Sequence, residues 1–283
     1  MLTTTESEFH LKTREGYDLF CKRWTPEGPA KGARILLTHG IESHTGWYED
    51  TARALAERGF EVSSLDRRGF GRSGGPKGHV ESAEDFFADL AVLTGFLHEE
   101  AEGRPVFAIG VSLGGLLVAA HAMRSPQDLA GVVSVVPAIA VRIKPKPLQI
   151  LQASFDNLTR PERKYPLGIP IEMFSEREEV KTFIESDELR TRQVSVRFFF
   201  SISRIRWWVV RNAPLMRTPL QVLLGEKDEM IDNDRIRRWT EKVPGRPLEV
   251  RQYPGVKHSI LLEPCRGQAV DDIQAFVDQV TRA

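Results

Sequence analysis

Apolar runs of strand length alternate with helically spaced apolar positions along most of this chain, and that alternation leaves few architectures open. Residues 33–38, 106–109 and 132–136 are near-continuous apolar runs, the pattern of strands buried on both faces, and residues 60–65 read as another strand. Between them, residues 47–58 read as a helix ended by Gly59, and residues 113–123 as another. Ser82 opens a further helix. Its positions Ala83, Phe86, Phe87, Leu90, Leu93 and Leu97 keep helical spacing, and Ser82 with Asp85 makes a relaxed capping box. Ahead of this rhythm, residues 7–13 and 17–24 flank Glu15-Gly16 as a hairpin. The order predicts an α/β chain with a mostly parallel central sheet flanked by helices.

The rhythm breaks at Pro137. Residues 138–215 are punctuated by prolines at 145, 147, 161, 166, 170 and 214 and read as helices without clear strands. Strand and helix patterns resume at 220–224, 232–242, 248–253 and 268–280, so both flanks belong to one sheet. The expectation is a core of residues 1–137 and 216–283, with a helical unit, 138–215, inserted after the sixth strand.

Charge separates the two parts. The whole chain balances 39 Lys and Arg against 39 Asp and Glu, which gives no global attraction for nucleic acid. The insert alone holds 14 basic residues against 9 acidic ones, so it carries +5 and the remainder −5. Cys21 and Cys265 stand far apart without metal-ligand or CxxC spacing, and read as free thiols in a reducing compartment. No basic-then-apolar leader is visible and no apolar run nears the ~18 residues of a membrane span, so the sequence predicts a cytoplasmic protein.

Gly110-Val111-Ser112-Leu113-Gly114 falls where a predicted strand turns into a predicted helix. A sharp turn of that kind lifts a serine hydroxyl clear of the sheet, and small flanking residues make room for the close backbone approach. A serine nucleophile needs a base, and His258 follows the last predicted strand in Tyr253-Pro254-Gly255-Val256-Lys257-His258. The imidazolium then needs an acid to orient and stabilise it, and Asp228 follows the strand 220–224 in Gly225-Glu226-Lys227-Asp228. A developing oxyanion needs two fixed N–H donors. One is Leu113, at a helix N-terminus whose partial positive charge favours an anion. The other is Ile41 in His39-Gly40-Ile41, where glycine lets the backbone turn inward.

Together these pieces resemble the serine hydrolases of the α/β-hydrolase superfamily, and within it the monoacylglycerol lipase and lysophospholipase group. The resemblance rests on His39-Gly40-Ile41-Glu42-Ser43-His44, Asp66-Arg67-Arg68-Gly69-Phe70-Gly71-Arg72-Ser73, Gly110 to Gly115, Gly225 to Asp228 and Gly255 to His258, which span most of the chain outside the insert. It implies an α/β-hydrolase fold in which the insert caps the active site, and a serine esterase or lipase that needs no cofactor and no metal. The implied substrate is a small-molecule acyl ester of medium to long chain, monoacylglycerol- or lysophospholipid-like, cleaved through an acyl-enzyme. Two departures bear on that substrate: Val111 stands where the family often has His before the serine, and Ser43 where it often has Glu.

Competing readings use the same residues. The same fold and triad serve an aminopeptidase, thioesterase or acyltransferase, and a hydrolase scaffold can also persist as a non-catalytic binding protein. His39 reads as ordering the oxyanion loop by hydrogen bonding, and His39, Glu42 and His44 match no metal-ligand spacing. Asp66 and Ser73 read as knitting their Gly-rich loop together, although Asp66 is the one rival acid by position. Glu226, Glu229, Asp232 and Asp234 read as a solvated face or a helix N-terminus. In the insert, Val194, Phe198, Ile202, Ile205 and Val209 form one helical stripe, while Val196, Phe199, Phe200, Trp207 and Val210 lie largely off it. Two apolar faces need two burial partners, and the second is cap core, acyl pocket, membrane or another subunit. Phe199, Phe200 and Trp207 are the candidates for the substrate entrance. The basic balance of the insert reads either as a solvated face or as a surface for transient membrane contact.

Overall fold

In the computed structural model, which describes residues 2–28, 32–100, 103–142 and 147–282, the apolar runs pair into one eight-stranded sheet. The hairpin forms β1 (Thr4–Lys12) and β2 (Asp18–Pro26). The buried runs form β3 (Arg34–Thr38), β4 (Glu61–Leu65), β5 (Val106–Val111) and β6 (Gly131–Val135). Two short strands of the insert, β7 (Lys164–Pro166) and β8 (Gln193–Ser195), precede β9 (Leu220–Gly225) and β10 (Leu248–Tyr253). The helices are α1 (Glu49–Ala56), α2 (Glu84–Glu99), α3 (Leu113–Arg124), α4 (Pro147–Thr159), α5 (Glu178–Ser186), α6 (Val196–Arg211), α7 (Asn233–Thr240) and α8 (Arg266–Arg282).

Across the sheet the strands run β1-β2-β4-β3-β5-β6-β9-β10, parallel from β4 onward and antiparallel at β1 and β2. From β3 the chain crosses through α1 to β4 on one side, and from β5 through α3 to β6 on the other. Right-handed crossovers in opposite directions put α1 and α3 on opposite faces. Accordingly α1 packs with α8, and α2 with α3. Every residue of β3, β4, β5, β6 and β9 is buried, and each Val, Ile or Leu so placed stabilises the fold by about 1.5–3 kcal/mol. Where the crossover direction reverses, β3 and β5 lie side by side with Thr38 opposite Gly110. The crevice beyond the carboxyl ends of such strands is where open α/β sheets place their ligands.

The capping reading at α2 holds in altered form. The helix begins two residues after Ser82; the Asp85 carboxylate accepts from the N–H groups of Glu81 (2.7 Å) and Ser82 (3.1 Å), and Ser82 Oγ accepts from the Glu84 N–H. The insert departs further from expectation, because β7 and β8 pair antiparallel with Tyr165 opposite Val194. Three-residue strands, one ending in proline, are too short to show alternation. Pro145, Lys144 and Lys146 lie outside the described residues.

The helical stripe of α6 is buried at Phe198, Ile205 and Val209, and Phe198 meets Phe86 edge-on at 5.1 Å and Phe70 at 5.6 Å. Ser195 caps α6 through Oγ, which accepts from the Phe198 N–H, and its own N–H donates to the Gly78 carbonyl (2.8 Å), joining insert to core. Cys21 and Cys265 are free thiols; burial pushes Cys21 up to about 12 and keeps it protonated. Among the described residues no helix is long and apolar enough to cross a membrane.

Candidate active site

Ser112 sits between β5 and α3 with φ 54° and ψ −110°, a conformation that costs a non-glycine residue about 1–3 kcal/mol. The surroundings enforce it. The Ser112 N–H donates to the Val135 carbonyl of β6 (2.8 Å), and the Ser112 carbonyl accepts from Ala138 (2.9 Å). A Cβ at Gly110 would overlap the Gly114 carbonyl, and one at Gly114 would lie 2.5 Å from the Thr38 carbonyl of β3. Only small residues at these two positions let strand, turn and helix close so tightly.

His258 follows β10 in the loop that also carries Ser259, and its ring is buried. Its Nδ1 lies 2.7 Å from Asp228 Oδ2, while Asp228 Oδ1 accepts from the N–H groups of Met230 (2.8 Å) and Ile231 (3.0 Å). The carboxylate is thereby fixed on both oxygens. An Nδ1–H given to Asp228 leaves Nε2 free as an acceptor. Of the neighbouring acids, Asp232 caps α7 and Glu226 accepts from the Gly255 N–H, so neither competes for the ring. The rival Asp66 is engaged with the backbone N–H groups of Thr45 (2.6 Å) and Arg72 (2.9 Å), which ties down the Gly-rich loop together with Ser73.

Ser112 and His258 line one cavity with Gly40, Ile41, Trp47 and Tyr48 of the loop after β3, with Val111, Met230 and residues 259–262, and with Ile169 and Phe174 of the insert. It encloses about 40 Å³, room for roughly three water molecules. The Gly40 N–H donates to Ser43 Oγ (2.8 Å), which lies 3.2 Å from the Tyr48 hydroxyl. Burial pushes Tyr48 up to about 12, so this hydroxyl keeps its proton. Among the described residues neither the Ile41 nor the Leu113 N–H donates to a protein acceptor.

The insert closes over this loop through polar contacts. Glu42 accepts from Arg190 Nε (2.9 Å) and Nη2 (2.6 Å), and its carbonyl accepts from the Thr191 N–H. Burial pushes the Glu42 carboxyl up, and Arg190 opposes that shift. Asp187 accepts from Trp47 Nε1 (2.6 Å) and meets His44 Nε2 at 3.1 Å. Beside them the Phe174 carbonyl accepts from the Ser259 N–H, and the Phe174 ring meets the His258 ring edge-on at 6.2 Å.

Phe199, Phe200 and Trp207 are not among the residues lining this cavity. Phe199 and Phe200 are half-buried, and Trp207 is 58% exposed beneath the Arg211 guanidinium. Ile169 and Phe174 stand in their place. Both belong to a short irregular stretch around a 3₁₀ turn, where no hydrophobic period marks them in the sequence. Arg190 and Glu42 escaped sequence reasoning for another reason, since their pairing joins positions far apart in the chain.

Residues 29–265 match the family described as serine aminopeptidase S33. The chain is 26% identical to a monoacylglycerol lipase of Mycolicibacterium smegmatis, over 98% of this chain and 99% of that one. It is 26% identical to the phospholipase YtpA of Bacillus subtilis, over 90% and 99%. Among solved structures, a soluble variant of the Saccharomyces cerevisiae monoglyceride lipase, in complex with a substrate analog, superposes with a TM-score of 0.84 at 21% identity, over 98% and 96%. The chain therefore belongs to the serine aminopeptidase S33 family and is an α/β-hydrolase that resembles the monoglyceride lipase group.

Proposed function

We propose that this chain is a serine hydrolase that cleaves carboxylic esters of medium to long acyl chain, monoacylglycerol- or lysophospholipid-like, through an acyl-enzyme. The observation that carries the reading is the 2.7 Å contact of His258 Nδ1 with a doubly anchored Asp228, in a ring that shares a cavity with the strained Ser112. Ser112 Oγ attacks the ester carbonyl, His258 takes its proton through Nε2 and returns it to the leaving alcohol, and water repeats the sequence on the acyl-enzyme. Asp228 holds the tautomer and stabilises the imidazolium. The amides of Ile41 and Leu113 receive the oxyanion.

Residues 138–215 act as the cap. Ile169 and Phe174, with Met230 and residues 260–262, give the cavity an apolar wall suited to an acyl chain. Aminopeptidase action needs an acid for the substrate's amino group. Among the described residues, the one carboxylate lining the cavity, Glu42, is already held by Arg190, which supports the ester reading. The outer helix α4 exposes Leu148, Leu151, Phe155 and Leu158, from 65 to 84% each, on a basic insert. That combination supports transient contact with an anionic membrane surface.

The test is a panel of p-nitrophenyl esters from acetate to palmitate beside aryl amides and aminoacyl substrates, with fluorophosphonate labelling of Ser112. Turnover is expected to favour octanoate over acetate, and labelling to vanish in Ser112→Ala. Faster cleavage of aminoacyl amides than of any ester would replace this reading with the peptidase one.

A further inference from the structure

Arg67 lies under the oxyanion loop, buried, and among the described residues no carboxylate bonds to it. Asp89, the larger of its distant counter-charges, is bonded to Arg68 instead. The Arg67 guanidinium is given over to groups at the end of β3 and just after it. Nη1 donates to the His39 carbonyl (2.5 Å) and Thr38 Oγ1 (3.1 Å), and Nη2 to the Gly40 carbonyl (2.6 Å).

The His39 ring completes the grip. It accepts at Nε2 from the Arg67 backbone N–H (3.1 Å), which puts the proton of the neutral ring on Nδ1; that atom lies 2.9 Å from the same Gly40 carbonyl, to which it donates, and 3.0 Å from Arg67 Nη2. Burial, with the Arg67 charge adding to it, holds His39 well below the ordinary imidazole pKa and keeps the ring neutral. Both lone pairs of the Gly40 oxygen are therefore engaged, one of them by a cation. A trans peptide is planar and points its C=O and N–H in opposite directions. Holding the Gly40 oxygen on the core side thus turns the Ile41 N–H toward the side on which Ile41 and Ser112 line the cavity. A carbonyl so engaged also polarises the N–H of its own amide.

We propose that Arg67 is the positioning residue of the oxyanion hole, fixing the Gly40–Ile41 peptide and setting a buried positive charge behind the donor that meets the tetrahedral intermediate. The proposal rests on the reading of Ser112 as nucleophile and Ile41 as oxyanion donor. A buried guanidinium without a bonded carboxylate is costly to keep. The negative charge that offsets it arrives with the tetrahedral intermediate, so the interaction strengthens toward the transition state and accelerates the reaction.

The test compares wild type, Arg67→Met, Arg67→Lys and Ser112→Ala. The readouts are kcat per fluorophosphonate-labelled serine and KM with p-nitrophenyl butyrate, inhibition by phenylboronic acid, and the melting temperature. The serine–boronate adduct is a tetrahedral anion and needs the same donors as the intermediate. In Arg67→Met, kcat falls by about 10²–10³ while KM changes by less than about threefold, and boronate inhibition weakens in step with kcat. Arg67→Lys keeps the charge but loses the fork, and falls by about tenfold. A folded Arg67→Met whose kcat stays within about threefold of wild type overturns the proposal. If Arg67→Met does not fold, Arg67→Lys decides, and an unchanged kcat there overturns it. Turnover surviving in Ser112→Ala overturns the site reading itself; a silent Ser112→Ala beside an unaffected Arg67→Met overturns only the role of Arg67.

Discussion

Ser112, Asp228 and His258 stand one, three and five residues past strands of the central sheet, whereas Ile169 and Phe174, which line the same cavity, stand on a stretch with no sheet strand of its own. Ser112 and Asp228 inherit their placement from the fully buried β5 and β9, and His258 from the edge strand β10 paired along its length with β9. The second group is held across a seam by polar bonds, among them Arg190 to Glu42, Trp47 to Asp187, Ser175 to Glu263, Lys257 to the Glu172 carbonyl and the Ser259 N–H to the Phe174 carbonyl, and by the buried Phe174 ring against Trp47. On the proposed reading, the groups that meet the reacting atoms follow strands of the sheet, and the wall that meets the acyl chain sits on the insert.

The sharpest division is in turnover. Ser112→Ala and His258→Ala should each lower kcat by up to ~10⁶, and Asp228→Asn by ~10⁴, in single-turnover ester cleavage. A comparable loss from Phe174→Ala would break the comparison, by giving the insert a share in the chemistry. The seam itself is tested by Arg190→Met. That change strands the Glu42 carboxylate in a buried place and should cost about 3 kcal/mol in urea unfolding at neutral pH. The deficit should shrink as pH falls and Glu42 takes up a proton.

On the strand side, pH acts through His39, whose folded pKa lies well below the unfolded value of 6.5. The unfolded chain therefore binds the extra proton first as pH drops, and native stability should fall by up to about 1.4 kcal/mol per pH unit below 6.5. His121, lowered by burial as well, adds to the same trend. Urea unfolding from pH 7 to pH 5 reads the slope, and NMR titration of the His39 ring assigns it; stability unchanged across that window would remove the neutral His39. Smaller still is the change expected in Phe174→Ala. Opening the wall should raise the octanoate-to-acetate ratio of kcat/KM by about tenfold, against ~0.8 kcal/mol for each methylene taken up. The least effect belongs to the outer surface. Leu151→Ser with Leu158→Ser should leave stability within about 0.5 kcal/mol and soluble-ester turnover intact, while lowering activity on anionic vesicles severalfold.

The succession of sheet strands and helices along the chain, the elbow at Ser112 and the loops bearing Asp228 and His258 were legible because period and punctuation are local signals, whereas the order of the strands across the sheet was not. β7 and β8 were not, being too short to show a period. The α6 aromatics illustrate a different limit: periodicity says that a side chain lies off the buried stripe, and Trp207 does, but not whether water or substrate meets it. The grip of Arg67 on the Gly40 carbonyl and of Arg190 on Glu42 joins positions 27 and 148 residues apart, a distance over which no pattern in a single sequence speaks.

β6 and β9 pair directly, Val132 opposite Leu220 and Val135 opposite Leu223, with the entire insert strung between them. A parallel neighbour can be reached in about a dozen residues, so most of what lies between these strands is surplus to the sheet. Closing a longer or shorter excursion changes the chain entropy little. Descent can therefore lengthen, trim or replace that excursion without shifting a single strand register, and a lineage can change its clientele while the machinery beneath stands still.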